Sequence, residues 1–323
     1  MYRKLVATLV LLVLCAIAPG AHAQLAWPTS LIRVISPYPP GGENDSAARV
    51  VAQQLSLALG KPVIVEAKPG ASTRIGSEFV AKSPPDGYTL LFAGAPHTTN
   101  PALFGTLPYD TVKDFAPIVR TVMYPVALAV STSSPWRTAQ EFLESARANP
   151  QTITIASSGN GTGPHLAIEL LAATAGISLV HVPYKGVSPA VTDLVATHVN
   201  AGIIGLGNLL PFVNSGKLRV LAVVSPQRVK ELPSVPTMAE IGYPQVDASV
   251  WFGFLAPAGT PPEIVDRLNS EINRILKSPE VVKRFNASGA IALGGSPQDF
   301  DRFIRQDIER WSRIIRERGI TVD

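Results

Sequence analysis

LIRVISPYPPGGENDSAARVVAQQLSLALG, residues 31–60, decides the fold class. Its first part, LIRVIS, is short, apolar and rich in branched side chains, which reads as a strand, whereas ARVVAQQLSLAL has helical periodicity and stops at Gly60. Between them lie Pro39, Pro40, Gly41 and Gly42, so a strand turns into a helix over a few stiff and side-chain-free positions. The same unit recurs along the chain: PVIVEA before IGSEFVAKS, then YTLLFAG, TITIAS before GNGTGPHLAIELLAATAG, and SLVHVPY before KGVSPAVTDLVATH. Such alternation predicts an α/β protein built on largely parallel sheets.

The chain opens with Arg3 and Lys4, continues with the apolar run Leu5 to Ala18, and reaches Ala21-His22-Ala23. This is the pattern of a secretory signal, with cleavage expected after Ala23. As a helix the run would be about 21 Å long, short of the roughly 30 Å hydrocarbon core. Cys15, the single cysteine, falls inside this segment, so no disulfide or thiolate metal site is expected in the exported product. The remaining ~300 residues suffice for two lobes. Net charge is +4, but the basic residues alternate with acids, as in RQDIERWSRIIRER, and form no stripe of the kind that nucleic acid requires.

Three late helices are announced by Thr260 with Glu263, by Ser278 before Pro279, and by Ser296 with Asp299. The last places Phe300, Phe303, Ile304, Ile308, Trp311 and Ile315 on one face and is expected to pack on a lobe without binding anything. No long linker separates two domains, which suggests that extended segments at Val126–Ser131 and Ser249–Pro257 cross between lobes.

In open α/β sheets, ligands bind beyond the carboxyl ends of strands, where helix N-termini present free N–H groups. The sequence offers four such junctions: Tyr38 to Asp45, Ala95 to Thr99 with His97, Ser157 to His165, and Tyr184 to Ser188. All are rich in Gly, Pro, Ser or Thr and poor in fixed charge, which suits an anion held by backbone amides and hydroxyls. Glu43 would repel that anion, so it either faces solvent or, with Asp45, faces a cationic part of the guest. GNGTG at 159–163 lacks the Lys-Ser/Thr ending of a nucleotide loop, and Ser157, Ser158 and His165 lack a nucleophile elbow. An exported serine hydrolase is the enzymatic rival. No cofactor is expected, and His97, His165, His181 and His198 show no zinc-binding spacing. His97 and His165 are taken as hydrogen-bond donors at the crevice.

YPPGGENDSAARVVAQQL, NPALFGTLPYDTVKDFAPI, HVPYKGVSPAVTDLVATHV, GKLRVLAVVSPQRVKELPSVPTMAEIGYP and WFGFLAPAGTPPEIVDRLNSEI closely resemble the substrate-binding receptors of tripartite tricarboxylate transporters, the Bug family. The likeness runs from about Ile32 to the C-terminus. It implies a two-lobed periplasmic-binding-protein fold of type II-like character, with two mixed sheets flanked by helices, that closes on one small carboxylate and catalyses nothing. The lobes would be 24–126 with 249–323, and 127–248, after a signal peptide at 1–23. The resemblance also implies ligand contacts, partly through water, from Tyr38, Pro39, Gly41, Gly42 and Asp45, from Thr162, Gly163 and His165, and from Tyr184, Lys185 and Gly186. The chain departs from the family at Glu66 to Thr73, which Arg74 follows. That arginine either pairs a second ligand carboxylate or lies exposed on its loop. The implied partners are a small carboxylate and membrane permease subunits, with a sensor kinase as the alternative. A periplasmic monomer without nucleic acid is expected.

Overall fold

A computed structural model describes residues 27–320 apart from 226 and 247; the expected signal segment lies outside the described residues. The strands form two sheets. In the first, β1 (Ile32–Ser36), β2 (Val63–Ala67), β3 (Thr89–Gly94), β4 (Phe115–Tyr124), β10 (Val250–Pro257) and β11 (Ile291–Ala292) take the order β11-β4-β10-β3-β1-β2. The second holds β5 (Val126–Ser131), β6 (Thr154–Ser157), β7 (Val180–Pro183), β8 (Ala201–Gly205) and β9 (Leu218–Val224) in the order β7-β6-β8-β5-β9. Each sheet is mixed. β1 runs parallel to β2 and β3, while β10 is antiparallel to β3 and β4. Likewise β6 runs parallel to β7 and β8, while β5 is antiparallel to β8 and β9.

Burial on both faces explains the continuous apolar runs. In β3, Leu90 and Phe92 enter one core beneath α1 (Glu43–Leu59), whereas Leu91 and Ala93 enter another on the opposite face. α1 buries Ala47, Ala48, Val51, Ala52 and Leu55 on that first core and ends at Gly60, whose φ of 65° is the left-handed turn that glycine adopts without a Cβ penalty. The other helices are α2 (Arg74–Ala81), α3 (Pro96–Phe104), α4 (Ala139–Ala148), α5 (Gly163–Ala175), α6 (Val187–Val195), α7 (Leu206–Asn214), α8 (Pro262–Leu276), α9 (Pro279–Ala287) and α10 (Pro297–Arg318). Ser278 caps α9, and Ser296 with Asp299 forms a reciprocal capping box on α10. Thr260 differs from expectation: Pro261 is the cap position of α8, and the Thr260 hydroxyl instead donates to Pro257 O at 2.8 Å.

The chain leaves the first sheet at Tyr124, passes Pro125 and enters the second at Val126; it returns between Val224 and Val250. α10 forms a further tie. Its early residues Phe300 and Ile304 pack with Trp251 and Leu255 of the first sheet, while Trp311, Ile314 and Ile315 join the core of the second. At 22 residues it is about 33 Å long, enough to span both cores. The expectation that it packs on one lobe is corrected accordingly. Among the described residues no helix is long and apolar enough to cross a membrane.

Candidate ligand-binding crevice

The carboxyl ends of β1, β3, β6 and β8 lead into α1, α3, α5 and α7, two from each sheet. A cavity of about 170 Å³ lies where α3 and α5 begin, lined by Ala95, the cap residue of α3, and by Gly163, the first residue of α5. Gly163 is closely packed: a Cβ there would meet Ala248 O at 3.2 Å and Val250 Cγ2 at 3.3 Å, so these neighbours would have to give by a few tenths of an ångström. The rest of the wall includes Arg120, Ser249, Trp251, Asp307 and Arg310. The Arg120 guanidinium lies 3.9 Å from the Phe303 ring centre, and Arg310 Nη2 donates to Gln245 O at 3.3 Å. Ser249 Oγ is buried in this region without a hydrogen-bond partner among the described residues. Asp307 accepts from Thr98 Oγ1 at 2.6 Å and Trp251 Nε1 at 3.4 Å; burial raises its pKa. Two helix starts, two guanidinium groups and a spare hydroxyl make a setting for a small anion.

Of the residues expected from sequence, Ala95 and Gly163 line this cavity. Pro39, Gly41 and Gly42 form an exposed turn ahead of α1. The Gly41 N–H is not spare for a guest, because it donates to Asp45 Oδ2 at 3.1 Å. Asp45 also accepts from Arg49 Nε, and these bonds hold its carboxyl below the usual range. Asn44, which the sequence reading passed over, pins the turn to the sheet: its Oδ1 accepts from Ser36 Oγ and its Nδ2 donates to Phe92 O. Tyr38 is folded inward, with its hydroxyl over Gly94 and its ring edge-on to Phe252. Burial drives its pKa upward.

Several expected donors serve the scaffold. His97 is buried, donates from Nε2 to Thr111 O at 2.9 Å, and meets Phe115 edge-on; burial lowers its pKa to about 4. Arg74 folds back so that Nε donates to Ala71 O at 2.8 Å and its guanidinium sits 4.0 Å from the Phe104 ring centre. It does not line the cavity. Thr162 Oγ1 donates to Gly159 O at 2.7 Å, within its own loop. Tyr184 turns toward α6, where its hydroxyl donates to Asp193 Oδ2 at 2.6 Å; burial and Asp193 push its pKa up to about 12. Gly186 N donates to Ser158 O at 3.2 Å, and Lys185 is exposed.

Ser157 Oγ lies 2.7 Å from His181 Nε2, a spacing suited to a nucleophile and base. Ser157, however, is wholly buried, and its hydroxyl also shapes the turn by accepting from Gly159 N at 3.2 Å. His165, His181 and Glu169 bring three potential ligand atoms within 4.8 Å of one another, a grouping that chain spacing alone did not reveal. The two imidazoles are stacked, centroids 4.2 Å apart and planes at 13°, so their in-plane lone pairs run side by side and do not converge. His165 Nδ1 accepts from Gly161 N at 3.1 Å, which leaves Nε2 protonated, 3.7 Å from Glu169 Oε1. This stack does not suit a metal ion. Burial, with His181 alongside, lowers the His165 pKa to about 4.

The model of the tripartite tricarboxylate transporter family receptor matches residues 47–320. Protein BugT of Bordetella pertussis is 38% identical over 295 residues, covering 91% of this chain and 90% of the relative. Among solved structures, R. palustris Rpa4515 with adipate aligns with a TM-score of 0.83 at 34% identity, over 91% of this chain and 99% of that one. The periplasmic binding protein BugD aligns at 0.81 and 32%, over 91% and 99%. The two mixed sheets flanked by helices are thus the two-lobed binding-protein fold, and the chain is a receptor and not an enzyme. It belongs to the tripartite tricarboxylate transporter receptor family.

Proposed function

We propose that this receptor captures a small carboxylate in the crevice between its lobes, in the periplasm, and presents it to the membrane subunits of a tripartite transporter. The observation that carries the reading is the meeting of α3 and α5, from opposite sheets, at one cavity whose wall includes Arg120 and Arg310. An anion there would draw on helix ends from both lobes, so binding would favour the closed form over the open one. The adipate in the Rpa4515 structure supports the ligand class. In this reading residues 1–23 direct export, residues 24–126 and 249–323 make most of one lobe, residues 127–248 make the other, and the receptor acts as a monomer.

Calorimetric titration of the purified protein with mono-, di- and tricarboxylates tests the proposal. Arg120→Ala is expected to weaken the best binder at least tenfold, while Arg74→Ala, remote from the cavity, is expected to change it less than twofold. Folded protein that takes up none of these anions refutes the reading.

A further inference from the structure

The cavity where α3 and α5 begin has a wall of two kinds. Its apolar part is Met123, Leu166, Trp251, Phe303 and Trp311. Trp251 meets Phe303 edge-on, centroids 5.3 Å apart and planes at 89°, and both pack on the core behind them, so this surface is held from the rear. The ionisable part is Arg120, Arg310 and Asp307. Each guanidinium is seated on an aromatic ring of the same wall, Arg120 3.9 Å from the Phe303 centre and Arg310 5.0 Å from that of Trp311. A planar cation stacked in this way directs its N–H groups edgewise, the geometry that a carboxylate accepts. Ser249 Oγ, buried without a hydrogen-bond partner among the described residues, adds a donor for such a head group.

Asp307 is buried, and its Oδ2 accepts from Thr98 Oγ1 and Trp251 Nε1. Burial raises its pKa, against the Thr98 hydrogen bond and Arg310. With Asp307 ionised, two cations against one acid leave a surplus of one positive charge on the wall, the complement of a single carboxylate. Glu43 does not enter this balance. Contrary to both expectations it turns neither to solvent nor to a cation among the described residues; its Oε1 accepts from Asn208 Nδ2 of α7 at 2.6 Å, and it does not line the cavity. The cavity volume of about 170 Å³ is on the scale of the ~150 Å³ apolar cavity that admits one benzene ring.

We propose that the guest is a monocarboxylate with an apolar body of about one six-membered ring, and that this wall discriminates against polyhydroxy acids and dicarboxylates of the same length. This names the substrate class of the site and rests on the receptor reading above. Hydroxyls carried onto Met123, Leu166 and Phe303 lose water without gaining a hydrogen-bond partner. A second carboxylate also loses water, and it finds the surplus charge already matched and Asp307 as a like charge beside it.

The test is calorimetric titration at pH 8 of wild type, Asp307→Asn and Met123→Gln with benzoate and with three matched six-carbon acids: hexanoate, adipate and gluconate. Wild type is expected to bind benzoate and hexanoate at least tenfold tighter than adipate and gluconate. Asp307→Asn, which keeps an acceptor for Thr98 and Trp251, should narrow the hexanoate-to-adipate ratio at least fivefold and leave hexanoate against gluconate within twofold. Met123→Gln, of nearly the same volume, should do the reverse, narrowing hexanoate against gluconate at least threefold. Retained benzoate binding shows that each variant is folded. A wild-type preference for adipate or gluconate, or ratios unmoved in both variants, overturns the proposal with the receptor reading intact, as does uptake of some other carboxylate and none of these four. Folded protein that takes up no carboxylate overturns both.

Discussion

Raising the pH through 7 is expected to open the ligand-free receptor, and Glu43 sets the size of the effect. Burial between the lobes lifts its pKa from the ordinary 4.5 to about 7, against a smaller lowering by the Asn208 hydrogen bond. Swinging the lobes apart would return the carboxyl to water and to its ordinary value. The closed form thus holds the proton more tightly. Its advantage is full below 4.5 and is lost as pH rises through about 7. At 1.36 kcal/mol per pKa unit the difference between pH 4 and pH 8.5 is about 3 kcal/mol, roughly a hundredfold in the closed-to-open ratio. Tyr124, whose pKa burial moves further up, stays neutral throughout this window. Small-angle scattering of the ligand-free protein reads the lobe separation directly. Wild type should expand between pH 5 and pH 8.5, and Glu43→Gln, which cannot titrate, should not. An equal response in both proteins, or expansion on acidification, refutes the reasoning.

Asp45→Asn removes the carboxylate that accepts from Gly41 and Arg49, and should cost about 1 kcal/mol in urea unfolding at pH 7. Because that carboxyl is held low in the fold, its contribution is present above the ordinary 3.8 and fades as pH falls below it, so the two proteins should converge in acid; a gap that persists there speaks against the assignment. Gly94→Ala would set a methyl 2.5 Å from the Tyr38 hydroxyl and 2.8 Å from Phe252, an overpacking worth about 1–3 kcal/mol. Calorimetric melting should show a fall of several degrees, and an unchanged Tm contradicts the packing described.

What the sequence discloses is local. β1, the turn and α1 are written in consecutive residues, and so are the caps Ser278 and Ser296, because a strand period, a helix period and a capping side chain each act within a few positions. The junctions were legible in the same way, as glycine and proline between regular elements. Their hydrogen-bond accounts were not. Whether the Gly41 amide is open to a guest depends on a carboxylate four residues on that is itself held by Arg49, and whether His165 faces the crevice depends on His181, brought alongside by the pairing of β6 with β7. A side chain that could serve a ligand is spent on its own loop whenever the loop needs it more.

The charged wall of the cavity shows why the remainder was hidden. Asp307 lies within the apolar stripe of α10, buried against Thr98 and Trp251 of the first lobe, whereas Arg310 borders the stripe, where a helix seated on one lobe would turn it toward solvent. Arg310 lines the cavity because α10 continues past the first core, seats Trp311 and Ile315 in the second, and so carries its stripe's edge across the gap. Arg120 reaches the same space from β4, an internal strand between β10 and β11 in which a charged side chain has no periodic reason to be. A long charged residue inside a sheet, and a charge bordering the stripe of a helix longer than one lobe can use, are the two irregularities that mark this wall in the bare sequence. Each breaks a local rule, and each stands where the two lobes face one another, which is where an exception to local rules has a partner to satisfy.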